Sequence, residues 1–473
     1  MAVVGCWGLF QNLWLLSASN WLSDEPTYAS AGWRYVHGLV DVNLEHPLTV
    51  KYLIGFSELV FGQGDPSGIR LPSAAASLAT GALLWWWARQ EAGRAAGVLC
   101  AGMWLLLPRS TTGWNQAPRL DRFAMLEPVL AFFAVAALYA GWRWIRTRRW
   151  RWAVVAGVAF ALATTSKESG VVIAPVIALG GLLALRSIRA AGQLVAGTAA
   201  AVVTGLLTYV AAGSLEPIAV MVRFQSRHNT IGHLVPVRDH VYQFAPWWAN
   251  FWFNEQAYGV VLSLALGVAV AAALLLRRDA VTAWVAAGMG SFLVFYCLVS
   301  QVALPFYYDA WQPEVTLLAA FGTVELARRA GASSGWPVML KGPAAGLALV
   351  VVAIFAVASV RASIDTFHLR RHGVALLPQA LDRAGVDPHS TVLMTGFHRW
   401  EANPYPFAPH QLVGKIPADL STVSAIAVHS PRVRDRQDPA VLALVAANQG
   451  RLRHVKVDEV DLYVVAAPLR ATG

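Results

Sequence analysis

The chain has 473 residues, of which 56% are hydrophobic and 14% charged, and its mean hydropathy is +0.49. This balance excludes a soluble protein of such a size and indicates an integral membrane protein. The formal net charge is +10. Because the basic residues stand mostly in short links between apolar runs, membrane topology explains this charge better than nucleic-acid binding does.

Apolar stretches recur along the first 360 residues and predict about eleven membrane-spanning helices, since roughly 20 apolar residues are needed to cross a bilayer. They lie at about 2–20, 71–88, 95–108, 123–142, 152–165, 170–185, 191–213, 258–276, 281–304, 313–327 and 343–360. The first stretch is barely long enough to cross, so we expect the native chain to begin upstream of Met1.

Alternate links between these stretches are short and basic, and the positive-inside rule places them in the cytoplasm. They are 89–94, 143–151, 186–189, 277–278 and 328–341. The same orientation puts the remaining segments outside, and these hold acids, histidines and aromatic residues. They are 21–70, 109–122, 166–169, 214–257, 305–312 and the tail from about 361. The chemistry is therefore predicted to face outward.

The last hundred or so residues have a different pattern, in which a helical run at 374–383 precedes strand-like stretches and a second helical run. The strand-like stretches are 391–394, 423–428 and 460–465, and the second helical run lies at about 439–448. We predict a membrane domain over 1–360 and a small extracytoplasmic α/β domain over 361–473. Acceptor recognition and packing onto the membrane domain are both admissible roles for the latter.

The three cysteines, Cys6, Cys100 and Cys297, lie within or beside apolar runs and have no paired spacing. They are predicted to be small buried side chains, neither disulfide partners nor zinc ligands.

Candidate site residues begin immediately after the first apolar stretch, with the adjacent carboxylates Asp24 and Glu25. Arg34 follows, and then His46 and Lys51 lead into an amphipathic run at 52–61. A loop that returns to the membrane as an interfacial helix would keep these groups near the surface. A solvated loop with a snorkelling lysine is the alternative.

Two further links bring charged groups to the same predicted face. Arg122 and Glu127 border one apolar stretch, where they could form a structural ion pair. Lys167 and Glu168 stand in a link too short for an ordinary exposed loop, where the lysine could bind an anion or pair with its neighbour. Together the three segments predict a site for an anionic lipid-linked substrate.

These motifs resemble those of the polytopic GT-C glycosyltransferases that use polyprenyl-phosphate sugars, especially the protein O-mannosyltransferase and lipid A aminoarabinose transferase branch. The order and spacing of the matching motifs agree through about residue 185. These motifs are Asp24-Glu25, His46-Pro47-Leu48-Thr49-Val50-Lys51 against an HPPLGK-like stretch, Arg122 to Glu127 against R-x-x-x-L-D, and Ser166-Lys167 against an SK element. Glu127 replaces the usual aspartate and Leu48 the second proline, which leaves the charge pattern intact.

The resemblance implies that Asp24 is the general base and that Glu25 orients it or the acceptor. The donor phosphate would be bound by cations in a partly dehydrated site. The candidates for this role are Lys51, Arg122 and Lys167, whereas His46, Glu127, Arg34 and Arg70 would shape the site. Asp24, Glu25 and Glu127 could supply oxygen ligands to a divalent metal. Because lysine and arginine can provide the same neutralisation, no metal or other cofactor is predicted.

Two other segments have open interpretations. The long segment 214–257 carries three histidines, His228, His233 and His240, and the pair Trp247-Trp248. It could close the pocket against water or form an aromatic interfacial helix. Tyr307-Tyr308-Asp309 could contact a sugar or mark the membrane boundary.

The predicted function is inverting transfer of a pentose, or a hexose such as mannose, from a polyprenyl-phosphate donor to an extracytoplasmic glycan, lipid or protein. Frequent Ala, Arg, Trp and Gly suggest a GC-rich bacterial genome and hence the bacterial cytoplasmic membrane. A lipid or solute transporter or flippase is the alternative. It would be expected to show inverted repeats and polar groups near the bilayer midplane, but the charges here stand at the outer ends of the spans.

Overall fold

The structure is a computed structural model that describes residues 2–109, 119–331, 335, 337–398, 401–429 and 437–471. Met1 and most of the predicted outer link 109–122 lie outside these residues. The α-helices, in chain order, are α1 Ala2–Leu13, α2 Glu25–Val36, α3 Thr49–Phe61, α4 Pro66–Ala92, α5 Arg94–Leu106, α6 Glu127–Thr147, α7 Trp150–Ser166, α8 Ala174–Leu185, α9 Ile188–Leu207, α10 Glu216–Ile231, α11 Ala249–Tyr258, α12 Val260–Leu276, α13 Ala280–Val294, α14 Gln312–Ala330, α15 Val338–Phe367, α16 Gly373–Arg383 and α17 Pro439–Ala447.

The β-strands are short and fall into two sheets. They are β1 Val235–Val237, β2 His240–Tyr242, β3 Thr391–Thr395, β4 Gln411–Val413, β5 Val423–His429, β6 Leu452–Val457 and β7 Val460–Val465. The first two form an antiparallel ribbon. The other five form a mixed sheet in the order β4-β3-β5-β7-β6, with β3 parallel to both of its neighbours.

Five helical stretches of the described chain are long and apolar enough to cross a membrane. They are Glu127–Thr147, Glu168–Leu185, Ile188–Leu207, Ala280–Val299 and Val338–Phe367. A sixth results if α11 and α12, which meet at an angle of 111°, are one broken span. This architecture fits the predicted polytopic helical membrane protein. The predicted count of about eleven spans is not confirmed, since helices such as α1 and α5, with 12 and 13 residues, are shorter than a bilayer core requires.

Helix starts follow local sequence signals. Asp65 caps α4 by accepting a hydrogen bond from the amide of Gly68 at 2.7 Å, and Pro66 occupies the first helical position. Asp279 caps α13 in the same way through the amide of Thr282 at 2.9 Å. These signals fix where each helix leaves its loop, and therefore which side chains stand at the helix ends.

The links that the sequence predicts to be cytoplasmic lie together in the structure. Arg143 Nη1 donates to Gln90 Oε1 at 3.0 Å, and Arg277 Nη2 donates to the carbonyl of Glu91 at 2.8 Å. Arg329 Nη2 donates to the carbonyl of Leu276 at 3.0 Å. Four basic links thus share one end of the bundle. The segments predicted to lie outside meet at the opposite end, and we call them the outer loops after their predicted side.

Helices α2 and α3 cross so closely that only glycine fits at the contact. A methyl group added at Gly32 or Gly55 would overlap backbone atoms of the facing helix. This crossing fixes the first outer loop, since α2 follows Asp24 and α3 contains Lys51.

The C-terminal residues contain strands at all three stretches that the sequence suggested. Helix α15 runs without a break past residue 360, so the domain division at that position stays a prediction. The sheet and α16 share an apolar cluster with the outer loops, in which Leu377, Val392 and Phe407 join Trp21 and Ile69. The C-terminal segment therefore packs directly on the membrane-spanning part of the chain.

We expect Gly55→Ala to lower the free energy of unfolding by about 1–3 kcal/mol, because the added methyl group must push α2 and α3 apart. The midpoint of thermal unfolding in detergent measures this effect. Gly102→Ala is the matched control, since a methyl group there meets no atom within 4 Å. Equal midpoints for the two variants would contradict the tight crossing.

Candidate active site

The two adjacent carboxylates after the first apolar stretch have different surroundings. Glu25 is fully buried, and Arg70 Nε and Nη2 donate to its two oxygens at 2.9 and 3.0 Å. The amides of Leu22 and Ala124 also donate to this carboxylate, each at 2.7 Å. Each oxygen of Glu25 thus accepts two hydrogen bonds, which leaves neither oxygen available to bind Asp24 or an acceptor. Glu25 is therefore held within the framework, and its role in orienting Asp24 or the acceptor stays a prediction.

Two buried arginines hold the backbone between α1 and α2. Arg70 and Arg122 are each at most 1% exposed. Arg70 donates to the carbonyls of Leu16, Ser19 and Asn20, and Arg122 to those of Gln11, Trp14 and Leu15. Carbonyl oxygens at the end of α1 are acceptors that a buried guanidinium satisfies. Both guanidinium groups thus hold backbone in place, and the phosphate-binding role of Arg122 and the site-shaping role of Arg70 stay predictions.

Asp24 stands at the start of α2 and is half-buried. Its carboxylate makes no hydrogen bond or ion pair with any other residue of the described ranges. The preceding residue, Ser23, has a positive φ of 42°, which places Asp24 at the end of a tight turn. Of the two acids, Asp24 alone has a carboxylate without a hydrogen-bond partner among the described residues.

A buried ion pair links two other outer loops. The ammonium of Lys167 donates to Glu127 Oε1 and lies 3.8 Å from the centroid of the Tyr307 ring. The second oxygen of Glu127 has no hydrogen-bond partner among the described residues. The sequence suggested two local pairs, Arg122 with Glu127 and Lys167 with Glu168. The structure instead pairs Lys167 with Glu127, which is 40 residues away in the sequence.

His46 and Glu168 stand beside this pair. His46 Nδ1 is 3.9 Å from Glu168 Oε2, and its ring meets Tyr28 edge-on with 5.9 Å between the centroids. Burial raises the pKa of Tyr28 well above its usual range, and the charges of Asp24, Glu127 and Glu168 raise it further. One tyrosine is therefore close enough to three carboxylates to be affected by each.

Two other predicted cations, Lys51 and Arg34, form contacts within the first outer loop. Lys51 is fully buried, and its ammonium donates to the carbonyls of Asn43 and His46, the latter at 2.8 Å. Burial lowers the pKa of Lys51 to about 7. Arg34 forms an exposed pair with Asp41, with 2.9 Å between Nε and Oδ1. Both side chains thus bind within their own loop, and the phosphate-binding role of Lys51 and the site-shaping role of Arg34 stay predictions.

A cavity of about 280 Å³ opens beside Lys167. Its wall includes Lys167, Glu168, Tyr307 and, from α10, Gln225 and His228. Burial raises the pKa of Tyr307 to about 12, and Asp24 is among the carboxylates whose charge contributes. Asp24 and the cavity wall therefore belong to one electrostatic environment.

Helix α10 covers this cavity and is attached on both sides. Gln225 Nε2 donates to the carbonyl of Glu45 at 2.8 Å, and the amide of Gln301 donates to Asn229 Oδ1 at 2.7 Å. Of the residues singled out in 214–257, His228 lines the cavity, and its ring is 5.3 Å from that of His233. His240, Trp247 and Trp248 do not line it.

Sequence reasoning did not group Tyr28, Gln225 and Asn229 with the site. The available signal was the helical spacing of Gln225, His228 and Asn229, which places three polar side chains on one face of α10. For metal binding, the described residues contain no cluster of three or more His, Cys, Asp or Glu side chains suited to an ion.

Comparisons with known proteins identify the fold. A family model described as dolichyl-phosphate-mannose-protein mannosyltransferase matches residues 45–210. ArnT from Cupriavidus metallidurans, solved with undecaprenyl phosphate, superimposes with a TM-score of 0.63 at 14% identity, covering 100% of this chain and 99% of that one. The chain has the GT-C fold. This confirms the superfamily resemblance stated from the ordered motifs.

A second GT-C structure is more distant. The oligosaccharyltransferase of Archaeoglobus fulgidus in its apo form has a TM-score of 0.53 at 12% identity, covering 90% of this chain and 69% of that one. No curated protein sequence matches this chain significantly. At these identities the GT-C likeness establishes the fold, and the function has to be argued from the site.

We expect Glu25→Gln to destabilise the protein by about 3–5 kcal/mol, because it leaves the guanidinium of Arg70 buried without a counter-charge. Asp24→Asn is the matched control, since its carboxylate is half-buried and unpaired within the described chain. The thermal midpoint in detergent and the fraction of monodisperse protein measure the difference. If both variants were as stable as the wild type, the framework role of Glu25 would be wrong.

Proposed function

We propose that this protein is an integral-membrane glycosyltransferase that moves a sugar from a polyprenyl-phosphate donor to an acceptor hydroxyl on the outer face of a bacterial cytoplasmic membrane. The observation that carries the proposal is the contrast between Asp24 and its neighbour. Glu25 is neutralised by Arg70, whereas Asp24 keeps a carboxylate that is unpaired within the described chain. Its charge acts on Tyr307, which lines the same cavity as Lys167. A free base and a buried cation are what this transfer needs.

The transfer is one displacement at the anomeric carbon of the donor sugar. Asp24 accepts the proton of the acceptor hydroxyl as its oxygen bonds to that carbon. The bond from the carbon to the phosphate oxygen breaks, and the polyprenyl phosphate leaves with the electron pair. A single displacement inverts the anomeric configuration. Because phosphate is a good leaving group, no second carboxylate has to act as an acid.

Lys167 is the cation that we assign to the donor phosphate. Its ammonium carries three N–H groups, and among the described residues one of them donates to Glu127. Its position in the cavity wall leaves the others for phosphate oxygens. Lys51 and Arg122, by contrast, donate to backbone carbonyls.

The class of donor is supported by the structural relatives. The ArnT structure contains undecaprenyl phosphate, and an oligosaccharyltransferase AglB structure from Archaeoglobus fulgidus, with a TM-score of 0.53, contains dolichol-phosphate. The sugar and acceptor can be identified by supplying membranes containing the protein with labelled polyprenyl-phosphate mannose and arabinose. The test follows which label moves and whether it reaches glycan, lipid or protein. Movement of no sugar from any such donor would refute the proposed function.

We predict that Asp24→Asn lowers transfer by about 10²–10⁴-fold, because the amide cannot accept the hydroxyl proton. Protein abundance in membranes should not change, since this carboxylate makes no hydrogen bond or ion pair with the residues that the structure describes. Initial rates with labelled donor measure the effect. Asp41→Asn, an exposed acid in the same outer loop, is the control and should retain activity. Full activity in the Asp24 variant would remove Asp24 as the base.

We predict that Lys167→Gln raises the KM for the polyprenyl-phosphate donor by at least about tenfold, the loss of one charge-assisted contact. The KM for the acceptor should change little. The variant is made together with Glu127→Gln, so that no unpaired charge stays buried. Lys51→Gln is the comparison. A larger rise in donor KM for the Lys51 variant than for the Lys167 variant would assign the donor phosphate to Lys51 instead.

A further inference from the structure

The C-terminal segment contacts the turn that carries Asp24. Asn20, four residues before Asp24, donates through Nδ2 to Glu401 Oε1. The amide of His372 donates to the carbonyl of Ala18 at 2.9 Å. Two separate parts of the C-terminal segment thus hold the backbone that leads to the candidate base.

The contact between Asn20 and Glu401 is buried, with exposed fractions of 4% and 5%. The second oxygen of Glu401 accepts the amide of His398 at 2.7 Å, and Asn20 Oδ1 accepts the amide of Trp21 at 2.9 Å. Each side chain therefore has one hydrogen bond within its own loop and one across the contact. Such a pair defines a relative position, because shifting either loop leaves a buried polar group without its partner.

The same turn is held from the membrane side. Arg70 Nη2 donates to the carbonyl of Asn20 at 2.9 Å while the guanidinium pairs with Glu25. Asn20 is therefore fixed through its side chain by the C-terminal segment and through its backbone by α4. Asp24 has no hydrogen bond of its own among the described residues, so the location of its carboxylate depends on these neighbours.

We propose that Asn20 and Glu401 are positioning residues for Asp24, and that the C-terminal segment thereby forms part of the framework of the active site. This proposal rests on the function proposed above. A general base must lie within hydrogen-bond reach of the proton it accepts, and a misplacement of about 1 Å can lower the rate by about 10²-fold. The pair influences the reaction through the turn and does not touch the substrate.

The test exchanges the donor and acceptor of the pair. Asn20→Asp sets two carboxylates against each other. Glu401→Gln leaves one acceptor oxygen for two donors, Nδ2 of Asn20 and the amide of His398, so one of the two hydrogen bonds is lost. In the double variant, the amide introduced at 401 can donate to the carboxylate introduced at 20, and its oxygen can still accept the amide of His398. We expect each single variant to lower kcat by roughly tenfold to a hundredfold with little change in donor KM. The double variant should recover most of the wild-type kcat.

Tyr405→Phe is the matched control. It removes another contact between the C-terminal segment and the membrane-spanning part, the hydrogen bond from Tyr405 to Glu58 Oε1 at 2.8 Å, but it does not touch the turn. Unchanged kcat in this control, together with recovery in the double variant, supports the proposal. An equal loss in the control, or no recovery in the double variant, overturns it. Asn20→Ala removes the donor without adding charge and replaces Asn20→Asp if the latter does not accumulate.

A second readout needs no sugar transfer. Asp24→Cys, in a background with Cys6→Ser and Cys297→Ser, is labelled by a membrane-impermeant maleimide, and the labelling rate reports the placement of position 24. The rate should change in each single variant of the pair and return in the double variant. A further outcome is that the labelling rate follows this pattern although neither the wild type nor any variant transfers sugar. In that case the positioning is upheld and the proposed function fails. A labelling rate unaffected by the single variants overturns the positioning itself.

Discussion

The ion pair between Arg70 and Glu25 joins three segments that are distant in the sequence. The carboxylate belongs to the first residue of α2, the guanidinium to α4, and the amide of Ala124 to the link before α6. Both side chains are at most 1% exposed. Within a low-dielectric interior, loss of either partner would leave a buried charge without compensation. The backbone turn between α1 and α2, and with it the direction of Asp24, depends on this pair.

A second buried group of charges fixes another wall of the site. Asp121 accepts hydrogen bonds from Arg109 Nη2 at 2.6 Å and Arg119 Nε at 3.0 Å. Arg109 Nε also lies 3.6 Å from Asp309, which shares a short helical turn with Tyr307. The helical turn that places Tyr307 beside Lys167 is thereby connected, through Asp309 and Arg109, to the link before α6. Most buried charges near the outer loops thus hold backbone in place, and few remain available to a substrate.

Much of the molecule could be predicted from local properties of the chain. Apolar runs and basic links indicate a membrane protein with one basic face, because transfer into a bilayer depends on composition over a window of residues. Strand-like and helical runs in the last hundred residues correspond to β3, β5, β7, α16 and α17, since short-range periodicity reflects the repeat of each element. The order of the charged motifs sufficed to recognise the GT-C superfamily, and it placed Asp24 and Lys167 among several candidate site residues.

The sequence by itself therefore determined the class of protein, the fold family and a set of charged residues near one face. Tertiary structure decided which of these charged side chains are bound by other groups of the protein. Glu25 follows Asp24 directly, yet one is enclosed by Arg70 and two amides while the other has no partner in the described chain. Lys167 pairs with Glu127 rather than with its neighbour, and Arg122 binds carbonyls that lie more than a hundred residues earlier. Adjacency along the chain cannot reveal such partners, because burial and hydrogen-bond geometry arise only when distant segments meet.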